Sequence, residues 1–174
     1  MVQVEIDSIR VSLMSQHRIV ILKDLAGERF LPIWIGPYEA EAITVSLQEM
    51  EVARPLTHDL LRNVLQALGA EVQRIEIVDL RDDVFYARIM LRIAGRELEI
   101  DSRPSDALAL AVRVHVPIFV DEKVMQEAAT EPEAEVKDDE PAGDAPDKRL
   151  NVFKDFVDTL DLDGIDSPEG DAPA

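Results

Sequence analysis

The chain has 174 residues, 47% of them hydrophobic, and a formal net charge of −18 from 36 acids and 18 bases. That length and apolar content suffice for one ordinary core plus an appendage, and the absence of cysteine excludes a disulfide scaffold, a cysteine nucleophile and a thiolate metal site. The acidic balance argues against binding nucleic acid through a broad basic face, because neutralising phosphates supplies most of such affinity.

Residues 2–6, Val-Gln-Val-Glu-Ile, alternate apolar and polar and predict a strand. The start therefore lacks the basic, then apolar, pattern of a secretion signal, and no apolar run approaches the ~20 residues of a membrane span. The expected setting is cytoplasmic, without a membrane partner. Residues 18–22 form an apolar run of strand length, and Leu25-Ala26-Gly27-Glu28 is a turn in which Gly27 is expected at positive φ. Residues 29–35 are a third strand, placed at an edge or a bulge because Pro32 has no N–H to donate.

Gly36-Pro37 opens a helix running to about Met50, with Ala40, Ile43, Leu47 and Met50 as its apolar stripe. Glu39 lies on that stripe, four residues before Ile43. A second helix runs from Leu56 or Thr57 to Leu68, with Thr57 as N-cap, Asp59 at the positive end of the dipole and Gly69 as terminator. Residues 72–80 and 84–93 predict two strands joined by Arg81-Asp82-Asp83 as a hairpin, and residues 96–100 a further strand. A third helix covers 105–114 with Ala107, Leu108, Ala111 and Val112 inward, followed by a short buried strand at 116–120 and a short helix at 121–129. The fold class expected is α+β: a mixed or antiparallel sheet with about three packed helices in one domain, 1–129.

From Thr130 the composition changes, with 15 acids and 4 bases, a net of −11, against −7 for residues 1–129. Residues 130–146 read as an acidic disordered linker. Residues 147–162 hold an amphipathic helix with Leu150, Phe153, Val157 and Leu160 on one face, which needs the domain or a partner to cover it. Residues 163–174 read as a disordered end.

Two polar clusters carry chemistry. In Arg54-Pro55-Leu56-Thr57-His58-Asp59 an imidazole can move a proton and a guanidinium can hold a phosphate. The same residues also serve simply to start a helix. In Glu99-Ile100-Asp101-Ser102-Arg103-Pro104-Ser105-Asp106 a strand ends and a helix begins with paired carboxylates, suited to Mg²⁺ or Mn²⁺. The alternative there is again capping, with Arg103 paired to Asp101. Glu39 is a metal ligand, the partner of a buried arginine, or an acid at the exposed end of its stripe. No glycine-rich phosphate loop, His-Glu-x-x-His helix or Gly-x-Ser-x-Gly elbow is present.

Taken together, Ile35-Gly36-x-x-Glu39-Ala40-x-x-Ile43, Arg54-Pro55-Leu56-Thr57-His58-Asp59-Leu60-Leu61, Phe85-Tyr86-Ala87, the stretch from Ile100-Asp101-Ser102-Arg103-Pro104-Ser105-Asp106 to Ala111, and Pro117-Ile118-Phe119-Val120 resemble the bifunctional nuclease family. The match spans roughly Met1 to Met125. The resemblance implies an α+β domain, metal-assisted nuclease activity on DNA and RNA, and a homo-oligomer. Phe153-Lys154-Asp155-Phe156-Val157-Asp158 looks like the helical ending of bacterial members. The chemistry placed on the motif positions has Asp101 and Asp106, with Glu39, holding Mg²⁺ or Mn²⁺. His58 is the general base or acid, and Asp59 orients it or completes the metal shell. Arg54, Arg103 and Ser105 bind the phosphate. This requires the two clusters to meet in space. The rival reading is a non-enzymatic regulatory or ligand-binding module whose polar motifs are helix caps. A third is an adaptor that recruits a partner through the tail helix.

Overall fold

The computed structural model describes residues 1–11 and 17–131. The tail segments beyond residue 131 lie outside the described residues, as do residues 12–16. Among the described residues the elements are β1 (Val2–Val11), β2 (Arg18–Asp24), β3 (Phe30–Ile35), α1 (Pro37–Leu47), α2 (Thr57–Ala67), β4 (Ala70–Arg81), β5 (Val84–Ile93), β6 (Arg96–Ser102), α3 (Pro104–Val114), β7 (Ile118–Val120) and α4 (Glu122–Ala128). The α+β class holds, and the four helices lie where the sequence reading places them, the short one at Glu122–Ala128 included.

The strands form one mixed sheet in the order β3-β2-β1-β7-β4-β5-β6. Two antiparallel meanders, β1–β3 and β4–β6, flank β7, which runs antiparallel to β1 and parallel to β4. Pro32 does lie on an edge strand, opposite Ile21. Thr130, read as the first linker residue, exchanges two backbone hydrogen bonds of 2.8 Å with Phe30.

The core sits between the sheet and the helices. Val20, Leu22, Leu31, Ile75 and Ile77 meet Ile43, Leu108, Leu110, Val124 and Met125 there. Helix α3 is its hub, packed on α1, α2, β4 and β5. This is why Ala109, Leu110 and Arg113 are buried along with the expected Ala107, Leu108 and Ala111. An amphipathic stripe describes a helix with one free face, and α3 has almost none. Helix α1 ends earlier than its apolar spacing suggests. The backbone of Glu49 turns to φ 50° just after the C-cap, so Met50 lies beyond the helix, and both it and Leu47, the last helical residue, are exposed.

Three turns show the local causes. The loop after β2 does not use a positive φ at Gly27, contrary to expectation. The Asp24 carboxylate organises it instead, accepting from Ala26 N–H at 2.8 Å and from Arg29 Nε and Nη2 at 3.1 and 2.8 Å. Those bonds, led by the Ala26 N–H, hold the Asp24 carboxyl below the usual carboxylate range against the opposing effect of burial. Gly69, at φ 69°, ends α2 as expected. The β4–β5 and β5–β6 hairpins turn on Asp82-Asp83 (φ 49° and 62°) and Ala94-Gly95 (φ 48° and 77°). Positive φ at both central residues matches the right-handed strand twist. Alanine is a poor residue there, because its Cβ meets the following carbonyl and costs about 1 kcal/mol or more. Ala94→Asn should therefore stabilise the domain by about 0.5–1 kcal/mol, read as a higher urea midpoint at unchanged slope.

Candidate functional site

Three helix starts converge. Glu39, Asp59 and Asp106 are the third residues of α1, α2 and α3, and both α1 and α3 begin with proline. An acid in the first turn faces the positive end of the helix dipole. Here all three acids are also tied to the cap or body of another helix.

Arg103 sits just before α3 and links two of the starts. Its Nη2 donates to Glu39 Oε1 at 2.6 Å and to Asp106 Oδ1 at 3.1 Å, and its Nε donates to Asp106 Oδ2 at 2.7 Å. The paired carboxylates, Asp106 first, raise the Arg103 pKa. His58 Nε2 lies 3.2 Å from Asp106 Oδ1. Burial opposes ionisation of Asp106, but Arg103 and His58 outweigh it and hold the carboxyl below its usual range. An ionised carboxylate only accepts hydrogen bonds, so His58 Nε2 is the donor in this contact. A cleft of about 520 Å³ opens over this row, with Tyr38, Pro55, Leu56 and Thr57 on its walls. The Glu39 carboxylate folds back over Gly36, whose missing side chain makes room: a Cβ there would stand 2.2 Å from Glu39 Oε2.

The two sequence clusters thus meet, but through His58 and Asp106. Asp101 stays outside. Its neighbours Ile100 and Ser102 pair with Ile89 and Ala87, whose side chains enter the core, so alternation points Asp101, opposite Arg88, to the other face of the sheet. The expected pairing of Arg103 with Asp101 is replaced by the pairing with Asp106. Asp59 does not orient His58. Its Oδ1 accepts from Arg113 Nε at 2.7 Å and its Oδ2 from Leu56 N–H at 2.9 Å. Leu56, not Thr57, is the N-cap of α2, and Asp59 bonds back to it. Arg113, its side chain 3% exposed, also donates to Ala109 O at 2.7 Å and Ala42 O at 3.0 Å. It ties α3 to α1 and α2. Sequence reading missed it, although a charged residue four positions after Ala109 on a buried helix was the available signal.

Arg54 is exposed, next to the Pro55 wall of the cleft. Ser105 is 7% exposed and lines a second, adjacent cavity rather than this cleft. The donor set expected for Mg²⁺ or Mn²⁺, Asp101 with Asp106 and Glu39, does not assemble in this arrangement. Asp101 is on the other face and Arg103 occupies the space between the remaining two carboxylates. Among the described residues no group of three His, Asp or Glu side chains is placed to hold a metal ion. No helix among them is long and apolar enough to cross a membrane.

The bifunctional nuclease domain family matches residues 20–133. An uncharacterized protein of Mycobacterium tuberculosis strain H37Rv is 39% identical over 161 residues, which covers 92% of this chain and 96% of that protein. Bifunctional nuclease 1 of Oryza sativa subsp. japonica is 27% identical over 111 residues, 62% of this chain and 34% of that protein. Bifunctional nuclease 1 of Arabidopsis thaliana is 27% identical over 108 residues, 60% of this chain and 33% of that protein. The chain thus spans about a third of the length of these plant relatives.

Proposed function

The chain belongs to the bifunctional nuclease domain family, and from that premise we propose that it hydrolyses phosphodiester bonds in DNA and RNA in the cleft between the starts of α1, α2 and α3. The observation that carries this reading is the His58–Asp106 pair, 3.2 Å apart at the wall of an open cleft with a guanidinium beside it. Asp106 fixes the imidazole and keeps its proton on Nε2. Nδ1 of His58 then takes the proton of a water that attacks phosphorus, the bond to the leaving oxygen breaks, and that oxygen takes a proton from solvent water to leave as a hydroxyl. Arg103 offers charge to the phosphate, helped by the positive ends of three helix dipoles. Among the described residues its Nη1 makes no hydrogen bond. Arg54 extends that contact along the strand. No step here runs through a metal ion, and Mg²⁺ or Mn²⁺ enters as a variable of the assay.

One observation favours the second reading, a non-enzymatic binding or regulatory module. Arg103 saturates Glu39 and Asp106, and Arg113 saturates Asp59, as structural struts would. Degradation of plasmid DNA and of RNA by the purified protein, with and without Mg²⁺ or Mn²⁺, separates the two. Asp106→Asn keeps the side chain's shape and removes the charge that orients His58. It should slow both reactions at least tenfold with the circular dichroism unchanged. Equal rates in the wild type and the variant would overturn the nuclease reading.

A further inference from the structure

Beside the cleft lies a second cavity of about 330 Å³, lined by Trp34 of β3, Val84 and Phe85 of β5, and Arg103, Pro104 and Ser105 at the start of α3. That size is at the small end of ligand pockets and suits one planar ring system. Its wall is mostly apolar and aromatic, with few polar groups. Arg103 lines both cavities. Ser105 is 7% exposed, yet its hydroxyl makes no hydrogen bond with any described residue. Trp34 is 61% exposed, with the His17 ring set edge-on to it at 5.7 Å. A large aromatic ring left in water in the same cavity wall as a hydroxyl without a protein partner suits a ligand with a π face and a polar edge.

Resting on the nuclease reading above, we propose that this cavity is a nucleobase subsite for single-stranded substrate. An unpaired base stacks on Trp34 beside Phe85, and Ser105 Oγ hydrogen-bonds its edge. Arg103, in the shared wall, holds the phosphate that joins this nucleotide to the one in the cleft. The charge of the domain points the same way. Residues 1–129 carry a net −7, so phosphate neutralisation gives little affinity for a duplex. Stacking does not depend on that charge and needs bases free of a partner strand.

Trp34 is the one tryptophan of the chain, so its fluorescence reports the cavity directly. The probes are a phosphorothioate-linked oligothymidylate of eight residues, which resists hydrolysis, and its duplex with oligoadenylate. The single strand should quench the emission saturably, and the duplex should bind at least tenfold more weakly. Val84→Glu places a charge in the cavity wall at a site already 53% exposed, so folding is spared. It should abolish the quenching while Trp34 remains as reporter. Trp34→Ala should raise KM for single strands roughly tenfold at little change in kcat, and Trp34→Phe should restore most of it. Absence of quenching by the single strand, equal affinity for the duplex, or quenching that survives Val84→Glu would overturn the subsite. Quenching without any hydrolysis by the wild type would keep the subsite and overturn the nuclease reading. Hydrolysis without quenching would do the reverse.

Discussion

Replacing His58 with glutamine should slow hydrolysis of DNA and RNA by roughly 10²–10⁴-fold, the range over which a positioned general base acts. Glutamine retains an amide N–H that can reach Asp106, so the polar contact at the start of α2 survives. What it lacks is a nitrogen able to accept the proton of water. The fold should be nearly unaffected, since one hydrogen bond contributes about 1 kcal/mol and this one is largely replaced. The measurement is initial rates on plasmid and RNA from protein purified identically, alongside thermal melts. Undiminished rates would remove His58 from the chemistry. A collapse of the melting temperature would assign it to the struts.

The opposite pattern is expected for Asp59→Ala. Arg113 is 3% exposed and Asp59 is the carboxylate that balances it. Removing one partner of a buried pair leaves an uncompensated charge and costs about 3–5 kcal/mol. For a domain of this size that lowers Tm by roughly 10–20 °C. Activity at a temperature where the variant is still folded should be close to wild type, because neither Asp59 oxygen faces His58. The double change Asp59→Leu with Arg113→Met should recover much of the loss, since apolar replacement of a whole buried pair is often close to neutral. A variant that melts like wild type would show that the pair contributes nothing. The pH dependence has a definite sign. Burial opposes ionisation of Asp59, but Leu56 N–H and Arg113 hold its carboxyl below the ordinary value. Its contribution is therefore fully present above about pH 4 and is lost as pH falls through the lower folded value.

The elements that sequence reading placed well are those with local causes. Pro32 marks an edge strand because the proline itself lacks a donor, and Gly69 ends α2 because it alone tolerates that φ cheaply. The helix starts at His58 and Asp106 were legible for the same reason. Asp101 shows how a local signal is overlooked. Glu97-Leu98-Glu99-Ile100-Asp101 alternates, and that alternation already sets Asp101 with the glutamates, on the face opposite Leu98 and Ile100. Its adjacency to Asp106 in the chain suggested a shared site that the pleat forbids. Other features have no local cause at all. Arg113 meets Asp59 across 54 residues, and Trp34 shares a cavity with Phe85 only because distant strands are brought together. The position of β7 between β1 and β4 is decided by pairings that no window of sequence contains.

That position has a consequence for how the domain is made. Each three-stranded meander is contiguous in the chain, and both are complete by Ser102. Among the described residues only the three of β7 stitch them into one sheet, and they come last of the described strands. A nascent chain released to the solvent up to Ser102 therefore holds two half-sheets with no strand to join them. During synthesis the facing edges of β1 and β4 stay open, each able to recruit a foreign strand, until Val120 clears the ribosome.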